Sequence, residues 1–325
     1  AVGANLSMTR TPDVHFISEA RHEGAKFVVI SPDFSMVSKY ADWWLPVEAG
    51  QDTALWLAVN HVILEEFHAR RQVPYFTDYL KRTTDSPLLV ELVETPAGLT
   101  AGQFLRANTV DRYADVEHGD WKLLMWDAAA DAPRMPKGSV GFRWAQDDAE
   151  KGKWNLKLED GLDDTPIDPV LTFLGTPGAE IAQVAFHEFA ADETRLRGVP
   201  VRRVRTADGR EVTVATVYDL LFAQFGVGRG LAGDYPTSYD DIGPYTPAWQ
   251  EQFTKIGRDT VIQLAREFAG NAEGTNGKSM VIVGASLNHW YNNNLSYRAP
   301  ITALILCGCC GVNGGGMNHY VGQEK

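Results

Sequence analysis

Three loops hold most of the side chains that could do chemistry. The first is GANLSMTRTP, Gly3 to Pro12. Asn5, Ser7, Thr9 and Arg10 sit just before a helix start, where free backbone N–H groups and the helix dipole favour an anion such as pyrophosphate. Arg10 would add charge-assisted hydrogen bonds. An ordinary capped turn with a surface arginine fits the same residues, and the spacing is not the GxGxxG of a dinucleotide fingerprint. The second set is Asp33, directly after the apolar run KFVVIS, and EAGQD, Glu48 to Asp52. An acid after a strand of a doubly wound sheet commonly accepts from a ribose hydroxyl or a base edge, although SPD is also a common turn. Gly50 permits positive φ or close approach. Asp52 could cap a helix, or it could accept from the two in-line donors of guanine, N1–H and the exocyclic amine. The third loop is GASLNHWYNNN, Gly284 to Asn294. In it Asn288 is a polar neighbour of His289, which could carry a proton, donate to a ring heteroatom or pack in a core. Trp290 and Tyr291 could stack on a ring or simply pack.

The last segment, CGCCGVNGGGMNHYVGQEK, raises the question of a metal. Cys307, Cys309 and Cys310 are the three cysteines, but C-x-C-C is not an ordinary zinc or iron–sulfur spacing. At helical spacing Cys307 and Cys310 share a face with leucines, so they read as small buried apolar groups. Gly314, Gly315 and Gly316 read as backbone that must approach a flat or phosphate-bearing ligand. No Walker A, HExxH, GxSxG, CxxC or EF-hand pattern is present. The carboxylates of DDAE and DGLDDTPID read as solvated loops.

The elements around these loops alternate in type. AVGAN reads as the end of a strand. TPDVHFISEARHEG reads as a helix with Thr11 as N-cap, Pro12 at its first position and Gly24 at its end. KFVVIS is a buried strand, YADWWLPVEAG a short strand and loop, and DTALWLAVNHVILEEFHARR a long amphipathic helix. The chain thus divides into an α/β unit over 1–70, an irregular α+β insertion over 71–245 and part of a second α/β unit over 246–325. Within the insertion, PVRRVRTADGREVTVATVYDL predicts a hairpin at Asp208-Gly209, and SVGFRW and KWNLKLEDG predict short strands. At the end, RDTVIQLAREFAGNA predicts an amphipathic helix, SMVIVGA a buried strand, YRAPITALILCGCC a helix and GVNGGGMNHY a glycine-rich loop. The fold class expected is α/β, two parallel-sheet, Rossmann-like nucleotide-binding units around the insertion.

The chain has 325 residues with 44% hydrophobic and 22% charged, enough apolar material for a large core. Its net charge of −12 argues against nonspecific nucleic-acid binding, which needs basic surface. No apolar run approaches the roughly 18 residues of a membrane span. The start at AVGAN, without Met, suggests an internal piece of a longer chain.

TRTPDVHF, ISPDFSMVSKYADWWLPVEAGQDTALWLAVNHVILEEF, SVGFRW with KGKWNL, TVYDL, TSYDD, YTPAW, LAREFA, MVIVGASLNHWY and GGGMNHYVGQEK together resemble the catalytic alpha subunits of respiratory nitrate reductases. These are molybdopterin oxidoreductases of the dimethyl-sulfoxide-reductase family, and the likeness runs from Ala1 to Lys325. It implies a central segment of a longer subunit. A His and three Cys for a 4Fe-4S cluster, and the Asp that ligates molybdenum, would lie upstream, so no catalytic residue or metal ligand is expected here. What the resemblance places in these residues is part of a cradle for molybdenum's two molybdopterin guanine dinucleotides. Asn5, Thr9 and Arg10 would face a pyrophosphate, with Asp33 and Asp52, beside Gly50, at ribose or guanine. Asn288 and His289, next to Trp290, would approach the second pterin, and Gly314 to Gly316 with His319 would line its loop. The implied activity is nitrate reduction to nitrite in anaerobic respiration. Electrons would come from an iron–sulfur beta subunit and a membrane haem gamma subunit, on the cytoplasmic or the periplasmic face. One departure is GANLSMTRTPD where nitrate reductases favour a V-P-Q stretch. Nitrite oxidoreductases, which run the couple in reverse, and chlorate-reducing relatives share most of these motifs. A non-redox α/β nucleotide-binding module is the rival from another class, and the upstream sequence discriminates it. An NAD-dependent dehydrogenase is disfavoured by the missing GxGxxG.

Overall fold

The computed structural model describes residues 1–139, 156–188 and 193–319. SVGFRW beyond Ser139, KGKWN, DDAE and the YVGQEK end lie outside the described residues. The chain forms two compact units, one from Ala1–Phe76 with Pro236–Lys325 and one from Thr77–Tyr235. It is mixed α/β with several small sheets.

In the first unit the strands are short and parallel. β1 (Val28–Ile30) pairs with β2 (Trp43–Leu45). β12 (Met280–Val283) pairs with β13 (Gly316–His319). Val2 bridges both Ile30 and Val283 in parallel sense, so one residue joins the two pairs. Its N–H donates to Ile282 O at 2.8 Å, and its carbonyl accepts from Gly284 N at 3.0 Å. Both ends of the chain therefore supply strands to neighbouring positions. Around them lie the four-residue α1 (Leu6–Thr9), α2 (Val14–His22), α3 (Asp52–Ile63), α6 (Pro247–Thr254), α7 (Arg258–Thr275) and α8 (Asn293–Leu306).

The expectation for α3 was a wet face, and the structure buries every residue from Asp52 to Ile63. It packs against α6, α7 and α8, so no side faces water. Its polar residues meet protein partners. Thr53 Oγ1 bonds Ser296 Oγ at 2.8 Å, and Asn60 Nδ2 donates to Ala299 O at 2.8 Å. The helix continues as a π-helical stretch, Leu64–Arg70, in which buried His68 Nε2 lies 3.1 Å from Leu306 O. Burial holds that imidazole down at about 4, against the pull of the carbonyl. Fully burying Leu55, Val62 and Ile63 contributes roughly 1.5–3 kcal/mol each. α7 shows the amphipathic pattern expected of it, burying Val261, Leu264, Ala265, Ala269 and Ala272. α2 starts later than Thr11. Thr11–Asp13 is a 3-10 turn, and Gly24 with φ +92° ends the helix region.

The second unit corrects the expectation of an irregular insertion. β3 (Leu89–Thr95), β4 (Gly98–Phe104), β9 (Glu180–His187), β10 (Thr194–Arg205) and β11 (Glu211–Thr216) close a five-stranded barrel in the order β10-β11-β3-β4-β9. Shorter strands β5 (Met125–Asp127), β6 (Ala132–Arg134), β7 (Pro136–Lys137) and β8 (Lys157–Asp160) form two further small sheets. Helices α4 (Pro74–Thr83) and α5 (Val217–Gln224) flank the run, α5 being capped by Thr216 Oγ1 accepting from Asp219 N at 3.0 Å. The hairpin at Asp208-Gly209 is present, with Arg205 opposite Glu211 and Gly209 at φ +83°. Among the described residues no helix is long and apolar enough to cross a membrane.

Candidate functional site

Parallel pairing puts all the carboxyl ends of the first unit's strands on one edge, where ligands bind in open α/β sheets. All three loops singled out in the sequence leave from that edge. They are packed tightly together. A Cβ on Gly284 would lie 2.1 Å from Gly3 O, and one on Gly3 would lie 2.5 Å from Ser286 Oγ. Ser286 Oγ donates to Gly3 O at 2.5 Å. Gly50 has φ +77°, and a Cβ there would lie 2.8 Å from Trp290 Cε3. The EAGQD loop thus rests on the indole from the other end of the chain, which is what its glycine permits.

Within the first loop Thr9 Oγ1 donates to Asn5 O at 3.0 Å, and Asn5 Oδ1 accepts from Ser7 Oγ at 3.1 Å. Arg10 Nη1 reaches Asn318 Oδ1 at 3.5 Å and its Nε lies 3.6 Å from Asp13. Arg10 thereby spans from the first loop to the end of β13. Asp33 is exposed just past β1, and Asn288 and His289 are exposed in the third loop. Trp290 is 43% exposed and Tyr291 wholly so.

Asp52 has no capping role. Gln51 occupies the cap position, and no side-chain cap bond forms. Asp52 is only 5% exposed and has no hydrogen bond to another described residue. Burial pushes its carboxyl up to about 6, against the pull of its own backbone N–H. A buried carboxylate whose donor is its own backbone N–H fits an external partner carrying two adjacent N–H groups.

The glycine run does not join this edge. Val283 lies opposite His319, while Met280 lies opposite Gly316. Gly316 therefore opens β13 about 10 Å from its carboxyl end. A Cβ on Gly315 would lie 2.1 Å from Gly277 O and 2.7 Å from Cys309 O. Gly314 and Gly316 take φ +87° and +84°, Gly314 beside the Lys278 side chain. Gly315 thus makes room for the protein's own backbone, and GGGMNH is two loop residues followed by the four of β13.

The cysteines also differ from expectation. α8 ends at Leu306, so helical spacing does not carry on, and Cys307 and Cys309 are the buried pair while Cys310 is half-buried. Among the described residues no group of three His, Cys, Asp or Glu could hold a metal. Burial drives the Cys307 thiol well up and the Cys309 thiol to about 12. Both are held protonated and unreactive. Iodoacetamide at pH 8 should label Cys310 before either neighbour, as read by peptide mass spectrometry. Prompt labelling of Cys307 in the native protein would contradict this burial.

Sequence reasoning missed Ser286, Asn318 and Tyr297. Tyr297 Oη lies 3.0 Å from His319 Nε2 and 3.5 Å from Gly284 O. Nothing in the local pattern marks a tyrosine in the first turns of a helix. Only the β12–β13 register brings it to His319.

A family model described as molybdopterin oxidoreductase matches residues 1–323. The respiratory nitrate reductase 1 alpha chain of Escherichia coli K12 is 45% identical over all of this chain and 27% of its own length. The nitrate reductase alpha chain of Bacillus subtilis 168 is 45% identical over 99% of this chain and 26% of its own length. The perchlorate reductase alpha subunit of Dechloromonas aromatica RCB is 29% identical over 99% of this chain. This chain spans about a quarter of the length of the curated relatives it matches. The family likeness seen in TRTPD, LNHWY and HYVGQEK is thus a likeness over the whole sequence, and the chain belongs to the molybdopterin oxidoreductases.

Proposed function

We propose that this chain is a central part of the catalytic subunit of a molybdenum enzyme that reduces nitrate to nitrite. The observation that carries the reading is whole-chain identity of 45% to nitrate reductase alpha chains, against 29% to a perchlorate reductase alpha subunit. In this reading the parallel pairs joined through Val2 are parts of a Rossmann-like sheet. Residues 1–70 and 246–325 each hold one molybdopterin guanine dinucleotide, and 71–245 is the insertion between them.

The residues present suit such a ligand. Arg10, Asn5 and Thr9 hold a pyrophosphate by charge-assisted and neutral hydrogen bonds. Asp52 takes the paired N–H donors of guanine, which adds to the single backbone N–H its buried carboxylate has, and Asp33 takes a ribose hydroxyl. Asn288 and His289 meet the second pterin beside Trp290, and His319 stands at the end of β13. When bound, the cofactor supplies oxygen-atom transfer and two-electron chemistry. These residues bind it, orient it and exclude water from it. A 4Fe-4S cluster on residues outside these 325, an iron–sulfur beta subunit and a membrane haem gamma subunit complete the electron path. The complex then sits at a membrane, with this subunit on its cytoplasmic face.

The test is turnover by the complete subunit with a reduced viologen as electron donor. Nitrate should be the preferred oxidant over perchlorate. Perchlorate reduction without nitrate reduction, or nitrite oxidation as the sole reaction, would overturn the substrate or its direction.

A further inference from the structure

We infer that Tyr297 is a positioning residue, which fixes the proton of His319 on Nε2 and so presents the Nδ1 lone pair as an acceptor from the end of β13 to the second cofactor. This rests on the cofactor reading above. The two side chains come from elements 22 positions apart, and the β12–β13 register makes them neighbours. Their rings lie 5.3 Å apart, tilted by 40°.

A phenol has one proton to give. Gly284 O can only accept, and it lies 3.5 Å from Tyr297 Oη. His319 Nε2 lies closer, at 3.0 Å. One arrangement makes both bonds: Oη–H donates to Gly284 O, and His319 Nε2–H donates to Oη. A neutral imidazole that donates from Nε2 leaves Nδ1 with its lone pair. His319 is exposed, and among the described residues Nδ1 has no partner. The adjacent Asn318 holds Arg10 of the first loop. The end of β13 therefore brings together an arginine, an amide and an oriented imidazole.

The comparison uses the complete cofactor-loaded subunit as wild type, Tyr297→Phe, His319→Asn and the double variant. Asn keeps a carbonyl acceptor near the Nδ1 position with no tautomer to set. Tyr297→Phe should lower kcat about fivefold, the worth of one neutral hydrogen bond of about 1 kcal/mol, with KM for nitrate unchanged. It should also shift the molybdenum(V) midpoint potential seen by electron paramagnetic resonance. In the His319→Asn background the same substitution should change neither. GMP released by acid hydrolysis is measured on every sample. Wild-type potential and kcat in Tyr297→Phe, or an equal loss in both backgrounds, would overturn the positioning role. Wild-type protein that releases no GMP would overturn the cofactor reading itself, a separate result.

Discussion

Asp52→Asn is expected to make the cofactor-free protein more stable at pH 8 while weakening its hold on guanine. The Asp52 carboxyl has its ordinary value of 3.8 in the unfolded chain and about 6 when buried in the fold. The folded state binds this proton more tightly. The stability it contributes is fully present below 3.8 and is lost as pH rises through about 6. At pH 8 the wild type therefore carries a buried charge whose donor among the described residues is its own backbone N–H. A rise of about two pKa units corresponds to about 3 kcal/mol, which a neutral amide should recover. Urea unfolding at pH 8 should show that gain, and the gain should shrink towards zero near pH 4. Asn retains an acceptor but loses the charge and turns an amine towards the guanine donors. Retention of guanine dinucleotide should drop by about 1.5–3 kcal/mol, the range for hydrogen bonds to charged groups. A gain in stability at pH 8 with unchanged cofactor content would mean that Asp52 faces something other than guanine. No gain at all would mean that the carboxylate is already satisfied.

Arg197→Met carries the largest stability loss expected in the barrel unit. Arg197 is the bulkiest fully buried side chain among the described residues, at 1% exposure. Its Nη2 lies 3.4 Å from Glu188 Oε1, and both side chains are buried. Its other donors serve backbone carbonyls: Nη1 to Ala223 O at 2.8 Å and Nε to Asp234 O at 3.0 Å. Removing the guanidinium strips those carbonyls of a donor and, among the described residues, leaves Glu188 with the half-exposed Arg195, whose Nε is 3.0 Å away. Breaking a buried pair from one side costs about 3–5 kcal/mol. Glu188→Gln should cost clearly less, because Arg197 keeps its carbonyl partners. Denaturant unfolding followed by circular dichroism gives the order. An Arg197→Met variant less than about 1 kcal/mol destabilised would show that the barrel does not depend on this group.

The elements with one dominant period were legible. α7 shows a plain 3.6-residue stripe, and KFVVIS and SMVIVGA are short β-branched runs bounded by polar residues. α3 was legible as a helix but not in its surroundings. Thr53, Asn60, His61 and His68 look like a solvated face, yet they are buried, and partners such as Ser296 and Ala299 lie more than 230 positions away. The barrel was illegible for a related reason. β10 carries five arginines and Pro200, and only its PVRRVR end was legible, as one arm of the Asp208-Gly209 hairpin. Arg197 and Arg202 are nonetheless buried, and Pro200 lies opposite Ile181 on β9. The glycine run shows the limit most clearly. Its three residues signal close approach, but the approaching group, Gly277 O, belongs to a turn that no local pattern connects to it. Of the candidate site, the three loops were legible from residue type, and their convergence was not. That convergence depends on Gly3 against Ser286 and Gly50 against Trp290, contacts between the two ends of the chain.

The most direct test of the central claim is the ratio of GMP to molybdenum in the complete subunit, with GMP released by acid hydrolysis. The account predicts two GMP for each molybdenum, one for each end of the chain. Molybdenum without GMP would remove the guanine role of Asp52, and neither component would contradict the cradle altogether.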